Sequence, residues 1–132
     1  MAEIAGILET TLYYPGARRE EVLGFYDDVL GLRRVAEWPD GTAYRAGGGV
    51  LLLFDRERLA GRDDPTAAHG ADGPGHVCLR AGGGDYEALR ARLVGAGVEI
   101  THDHSWPRGR SFYFADPAGN LLEVADSNIW PE

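Results

Sequence analysis

Cysteine and long apolar runs are what this sequence has least of. Its single cysteine, Cys78, excludes a disulfide within the chain and agrees with a reducing compartment. No apolar run is long enough to cross a bilayer, and the first residues, MAEIAGILETT, lack the basic and apolar regions of a signal peptide. We therefore expect a cytoplasmic protein that has no membrane partner.

Positive charge is also scarce. Lysine and arginine total 13 against 21 aspartate and glutamate residues, which gives a net charge of -8. Such a surface repels phosphate backbones, and no basic stripe with interleaved aromatic residues is present. The composition therefore disfavours nucleic acid as a partner.

The size of the chain fits one domain. Its 132 residues, 44% of them hydrophobic, are enough to build a core but make a second domain improbable. We therefore treat residues 1–132 as a single domain.

The first half of the chain predicts a strand, a helix and three further strands. Residues 7–14, ILETTLYY, alternate between two faces, with Glu9, Thr11 and Tyr13 together on one of them. Apolar residues recur at helical spacing from Ala17 to Leu30, and Gly31 follows where a left-handed cap would lie. Three short strands follow: LRRVAEW, TAYRA and VLLLF. This half, about residues 5–55, is predicted to be a βαβββ module.

The second half, about residues 74–127, repeats this order. A strand is predicted at GHVCLR, a helix at residues 85–96 before Gly97, and three strands at VEITHDH, RSFYFAD and NLLEVAD. The turn WPDG at residues 38–41 recurs as WPRG at residues 106–109. Two βαβββ modules in one chain predict an α+β fold with internal symmetry.

The segment between the modules, residues 56–73, is rich in charge and in turn-forming residues. It is long for a plain connection. Two interpretations stay open, a linker and a lid over a binding site.

The second module ends with DPAGNLLEV, residues 116–124, in which Glu123 interrupts an apolar strand. A buried carboxylate without a partner is costly, so Glu123 requires a cation or another neutralising group.

Four motifs, ETTLYY, FYDDVLGL, GPGHVCL and FADPAGNLLEV, in this order and spacing, resemble the vicinal oxygen chelate superfamily of glyoxalases, bleomycin-resistance proteins and extradiol dioxygenases. The resemblance covers almost the whole chain. It implies that two βαβββ modules form a curved, U-shaped mixed β-sheet with helices on the convex side. It also implies a divalent metal ion and a small-molecule substrate on the concave side, and a homodimer.

Metal ligands in this superfamily come from the first and last strands of each module. Glu9 matches the first position, His76 the equivalent strand of the second module, and Glu123 the last strand. Leu52 matches the fourth position, where glyoxalase-type enzymes carry a carboxylate, so at most three protein ligands remain. Three ligands with open positions are typical of a catalytic site.

Strand alternation agrees with this ligand set. Glu9, His76 and Glu123 each lie on the polar face of their strand. The opposite faces are predicted to form a helix-covered core: Leu8, Leu12, Val77, Leu79, Leu122 and Val124.

The type of ligand points to a class of metal. Glu9 is a hard oxygen donor where an iron oxygenase would use a second histidine, so Mn²⁺, Zn²⁺, Ni²⁺ or Mg²⁺ is expected as a Lewis acid, ahead of iron. Glu9 or Glu123 could leave the metal and act as the catalytic base.

A metal-free alternative stays open. Glu123 could pair with Arg80 or Arg110, while Glu9 and His76 could be an ordinary solvated residue and an ordinary polar residue.

Candidate substrate-binding residues are hydroxyl, aromatic and arginine side chains: Thr11, Tyr13, Arg80, Arg110, Trp106 and Tyr113. Further apolar walls could come from Trp38, Tyr44 and Phe112, although aromatic residues in a small domain usually belong to the core. His102 and His104 share one face of the sixth strand and either reach the mouth of the pocket or lie on the surface.

Three functional classes follow. The first is a glyoxalase-like, metal-dependent lyase or isomerase that acts on a small oxygenated metabolite. The second is a metal-free protein that binds a small molecule or an antibiotic and confers resistance by sequestration. The third is a dioxygenase, which Glu9 disfavours. The sequence does not name the substrate, because one fold hosts many chemistries.

Overall fold

The computed structural model describes residues 2–131 of the chain. These residues contain eight strands and three α-helices. In chain order they are β1 (Glu9–Tyr14), α1 (Arg19–Gly24), β2 (Arg33–Trp38), β3 (Gly41–Ala46), β4 (Gly49–Asp55), α2 (Arg56–Ala60), β5 (His76–Arg80), α3 (Tyr86–Gly95), β6 (His102–Trp106), β7 (Gly109–Ala115) and β8 (Leu121–Ala125). No helix among these has the length and apolar character needed to span a membrane.

The strands form two four-stranded sheets of the same design. The first has the order β1-β4-β3-β2 and the second the order β5-β8-β7-β6. In each sheet the first and last strands of the module are parallel, and the remaining pairs are antiparallel. The predicted α+β fold of two βαβββ modules is confirmed. Within residues 2–131 of one chain, the expected U-shaped surface is divided between two sheets that share no strand pairing.

One hydrophobic core serves both modules. It combines Leu12 and Leu53 of the first sheet with Phe112 and Leu122 of the second. Helical residues fill the space between them, among them Val22, Tyr26, Tyr86 and Leu93. The helices therefore cover the apolar face of each sheet, as predicted, and the polar faces point away from the shared core.

The helix of the first module binds the second module directly. The Phe25 ring lies 6.2 Å from the ring of Phe114, and the Tyr26 hydroxyl donates a 2.7 Å hydrogen bond to the Asp116 carboxylate. These contacts explain why the two modules share a single core.

Three boundaries differ from the sequence prediction. The helix expected from Ala17 to Leu30 is a 3₁₀ turn (Gly16–Arg18), then α1, then a π-helical turn (Phe25–Val29). Gly31 follows with φ of 69°, as expected of a left-handed cap. Strand β6 begins at His102 because Val98 and Ile100 pack against the core first.

The third difference is Leu8. Its assignment to the core is wrong, since β1 begins at Glu9 and Leu8 is 75% exposed.

Candidate metal centre and substrate face

The polar face of the second sheet collects the predicted site residues of that module. Cys78 pairs with Glu123 across the parallel strands β5 and β8, and Tyr113 pairs with Glu123 across β7 and β8. Side chains directly opposite in a sheet share a face, so His76, Cys78, Tyr113 and Glu123 lie side by side.

Glu123 is buried in this face and is incompletely bonded. Only 4% of the residue is exposed, and one carboxylate oxygen, Oε1, lies 3.3 Å from His76 Nε2. The other oxygen, Oε2, has no hydrogen-bond partner among the described residues. Because a buried, unsatisfied carboxylate oxygen is costly, the site is suited to a ligand that the protein itself does not supply.

The tautomer of His76 also favours a bound cation at this site. His76 Nδ1 lies 2.8 Å from the carbonyl oxygen of Leu121, which can only accept a hydrogen bond, so Nδ1 carries the proton. In the neutral ring Nε2 then presents a lone pair toward Glu123 Oε1. Two acceptors that face each other are stabilised by a cation, and a histidine held by a backbone carbonyl is the usual second-shell arrangement of a metal ligand.

Neither predicted arginine neutralises Glu123 among residues 2–131. Arg80 lies on the His76 face of β5, but among the described residues His76 is the only basic group within ion-pair distance of Glu123. Arg110 projects from the opposite face of β7, where its guanidinium pairs with Glu87 at 2.7 Å and lies 4.6 Å from the Tyr86 ring centre. The prediction that Arg110 anchors the substrate therefore has no geometric support.

Glu9 lies on the other sheet and is exposed. It shares the polar face of β1 with Thr11 and Tyr13, next to Leu52 on β4. Within the described part of one chain, no group of three or more His, Cys, Asp or Glu side chains is close enough to hold a metal ion. A single chain thus brings His76 and Glu123 together and leaves Glu9 apart, because the shared core separates the two polar faces.

Two other groups on the Glu123 face have shifted acidity. Burial, followed by the nearby charge of Glu123, raises the pKa of the Cys78 thiol to about 12, so this cysteine stays protonated at neutral pH. Burial and the Glu123 carboxylate likewise raise the pKa of Tyr113. Tyr113 is therefore available as a hydrogen-bond donor beside Glu123.

The remaining aromatic candidates divide between surface and core. Trp106 lies on the polar face of the second sheet and is 36% exposed, and Trp38 is also exposed. Tyr44 and Phe112 are fully buried in the core, as the alternative interpretation of these residues predicts.

Asn120, which was not among the predicted site residues, joins three chain segments through its side chain. Its side-chain amide donates to the Tyr13 carbonyl at 3.0 Å and to Asp116 at 2.9 Å, and its oxygen accepts from the Gly75 backbone at 2.8 Å. One side chain thus holds the end of β1 and the starts of β5 and β8. The motif DPAGN carried the signal, since Asp and Asn in a turn commonly bond to backbone groups.

His69, in the segment between the modules, was also missed. Its Nδ1 lies 2.5 Å from the Tyr13 hydroxyl, and its ring lies 5.3 Å from the ring of Phe54, edge to face. The segment therefore contacts the face that carries Glu9. A lone histidine in a polar segment gives no sequence signal for such a contact.

Comparisons with known proteins agree with this geometry. The family model for the Glyoxalase/Bleomycin resistance protein/Dioxygenase superfamily matches residues 14–124. A glutathione transferase FosA from Serratia marcescens is 33% identical over 104 residues, which cover 76% of this chain and 67% of that protein.

Solved structures resemble the whole chain. The crystal structure of lactoylglutathione lyase from Agrobacterium tumefaciens is 32% identical, with a TM-score of 0.86 and coverage of 99% of this chain and 100% of that one. A glyoxalase-related enzyme from Fulvimarina pelagi, 24% identical, has a TM-score of 0.71 and covers 97% of this chain and 92% of its own, which supports the fold alone.

Proposed function

Because this chain belongs to the Glyoxalase/Bleomycin resistance protein/Dioxygenase superfamily, we propose that it is a metal-dependent enzyme of the glyoxalase type. The reaction is that of a lyase or isomerase on a small oxygenated metabolite. The observation that carries the proposal is the close approach of His76 Nε2 and Glu123 Oε1, 3.3 Å apart, beside the unsatisfied Glu123 Oε2.

The proposed ligands are Glu9, His76 and Glu123. This set of two carboxylates and one imidazole suits Mn²⁺, Zn²⁺, Ni²⁺ or Mg²⁺, and its two negative charges balance a divalent cation. Such an ion would supply Lewis acidity toward a carbonyl or hydroxyl oxygen of the substrate.

The surrounding side chains orient the substrate and move protons. Tyr113, protonated beside Glu123, donates a hydrogen bond to a substrate oxygen. Thr11, Tyr13, Arg80 and Trp106 are the proposed substrate contacts. Glu9 is the proposed base, because it is exposed and free to change position, whereas Glu123 is fixed by burial.

A homodimer is part of this proposal. Strands β1 and β5 are edge strands, and an apolar cavity of about 420 Å³ lies between them, lined in part by Leu8, Val77 and Leu79. Exposed strand edges and apolar surface are what a second copy would cover. In such a dimer Glu9 of one copy meets His76 and Glu123 of the other, so each site draws ligands from two chains.

The substrate to assay first follows from two relatives. Both are named for reactions of glutathione or its adducts, so a glutathione-derived compound is the proposed starting point. Location in the cytoplasm stays a prediction from the sequence.

Metal binding to the wild type, Glu123→Gln and Glu99→Gln tests the proposal. The Glu123 variant keeps the shape but loses the charge, so we expect its affinity for Mn²⁺ or Zn²⁺ in calorimetry to fall at least about tenfold. Glu99, which is exposed, is the matched control and should leave affinity unchanged.

Elemental analysis of protein purified without chelator completes the test. If the wild type holds no metal and binds none of the four ions, the enzyme proposal fails. The metal-free small-molecule or antibiotic-binding function would then take its place.

A further inference from the structure

A row of rings crosses the second sheet outward from the proposed metal site. Tyr113 stacks on His76 with ring centres 6.2 Å apart, and His102 lies 5.9 Å from Tyr113. His104 follows at 5.5 Å from His102, and Trp106 at 4.2 Å from His104. We call Tyr113, His102, His104 and Trp106 the ring shelf.

The register of the sheet explains this row. His102 pairs with Tyr113, and His104 pairs with Ser111, so the ring shelf occupies the same face as Glu123. From β8 to β6 there are two strand spacings, which is about 10 Å. The ring shelf therefore runs from the Glu123 site to the rim of the sheet.

Trp106 of the shelf and the backbone of β6 are held in place before any ligand binds. The Trp106 indole N–H donates a 2.9 Å hydrogen bond to the hydroxyl of Ser111, which is itself fully buried. On the opposite face of β6, Asp103 receives two hydrogen bonds from Arg90, at 3.1 and 2.8 Å. Binding to rings that are already fixed costs little conformational entropy.

The hydrophobic core does not account for these rings. His102 and Trp106 are exposed, and they project from the face that points away from the core. Among the described strand residues of this face, Glu123 is the only carboxylate, in a protein of net charge -8. The shelf thus offers flat, polarisable surface with little negative charge.

We infer that the β6 part of the ring shelf, His102, His104 and Trp106, binds a planar aromatic or conjugated group of the substrate, about 10 Å from Glu123. The inference rests on the proposed function, since it assigns one end of the same substrate. It narrows the substrate class to oxygenated compounds that carry an unsaturated, flat substituent. A purely aliphatic metabolite of a few carbon atoms would leave the shelf unused.

A pair of matched probes tests this assignment. The probes are 2-naphthoate and its saturated counterpart, decahydro-2-naphthoate, which carry the same charge and differ in planarity. Each probe is titrated into the full-length protein, and binding is measured from the NMR chemical shifts of the protein. We expect 2-naphthoate to bind about five- to tenfold more tightly, the range that ring stacking contributes.

Variants locate the binding site. Trp106→Leu and His102→Ser should each weaken 2-naphthoate binding about five- to tenfold. The matched control is Trp130→Leu, which removes a tryptophan that is 73% exposed and lies outside both sheets. Equal binding of the two probes, or unchanged 2-naphthoate affinity in both shelf variants, would overturn the inference.

Titrations with and without Mn²⁺ separate the two proposals. The shelf does not include the metal ligands, so discrimination between the probes should persist in chelator-treated protein. Discrimination without any metal binding would uphold the shelf and refute the metal-dependent enzyme. Metal binding without discrimination between the two probes would uphold the metal-dependent enzyme and refute the shelf.

Discussion

Asn120 joins three chain segments through one buried side chain. It is 2% exposed, and its amide bonds to Tyr13, Gly75 and Asp116. Asn120→Ala would leave the Tyr13 carbonyl and the Gly75 amide without these partners, so we expect the free energy of unfolding to fall by about 2 to 4 kcal/mol. Urea unfolding at pH 7 measures the loss.

Asn128→Ala is the control for this prediction. Asn128 is exposed and accepts one local hydrogen bond from the Trp130 backbone, so its loss should change stability by less than about 0.5 kcal/mol. Equal effects of the two variants would show that Asn120 does not join the modules.

Asp27 makes stability depend on pH. Hydrogen bonds from Arg34, at 2.9 and 2.6 Å, and then from Tyr44 at 3.0 Å hold the pKa of Asp27 below its usual value. A lowered pKa stabilises the fold above the unfolded-state pKa of about 3.9 and loses this effect as the pH falls through the folded-state pKa.

Asp27→Asn should therefore destabilise the protein by about 1 kcal/mol at pH 7, since the pair is partly exposed. The difference in free energy of unfolding between Asp27→Asn and the wild type should shrink when unfolding is measured at successively lower pH, down to pH 3. The neighbouring, exposed Asp28 supplies the control, Asp28→Asn, for which no such narrowing is expected. A constant difference for Asp27→Asn down to pH 3 would contradict the assignment.

Among the elements, strands with regular alternation were predictable and contacts between segments were not. The strand ETTLYY falls where the pattern predicts because Leu12 and Tyr14, on one face, are buried, and LLEVA does so because four of its five residues are buried. The start of β6 and the exposure of Leu8 depend on which residues the core and the partner strand accept, and such distant contacts leave no local pattern.

In the candidate site, too, positions fixed by strand alternation were predictable and contacts between distant segments were not. The positions of His76 and Glu123 on one face follow from period two, and so does the opposite orientation of Arg110, which lies three residues before Tyr113 on β7. His69 and Asn120 act through partners 56 and 107 residues away in the chain. Alternation within a strand carries no information over such separations.

The segment between the modules is held against the first sheet by His69. Removing its hydrogen bond with Tyr13 in His69→Ala should loosen the segment, so amide exchange of residues 63–74 should be about tenfold faster. Exchange measured by mass spectrometry on wild type and variant tests this.

The control lies on the same segment. Asp72→Ala removes an ion pair with Arg56 in which Asp72 is 92% exposed, and a pair so exposed contributes little. Faster amide exchange in both variants, or in neither, would show that His69 does not hold the segment against the first sheet.

At the scale of the whole molecule, the proposed dimer predicts that two defective chains can form one intact site. A heterodimer of a Glu9→Ala chain and a Glu123→Gln chain, isolated through two different tags, would hold one site with every ligand and one site lacking two. We expect it to bind about half as much metal as the wild type. Each homodimer of a single variant is a control and should bind much less.

The alternative arrangement gives a different result. If Glu9 served the site of its own chain, each site in the heterodimer would lack one ligand, and binding would match that of the single-variant homodimers. Light scattering that finds a mass of one chain, 14.3 kDa, would contradict the dimer itself.

The bond from Asn120 to Tyr13 also affects how the chain folds during synthesis. The first sheet uses only residues 9–55, so its strands can pair while the ribosome is still translating the second module. The Tyr13 carbonyl receives its partner only when residue 120 of 132 has left the exit tunnel. Until then the nascent first module lacks this partner for the Tyr13 carbonyl. A ribosome stalled before the DPAGN turn therefore holds a module that trypsin should cut more readily than the finished protein.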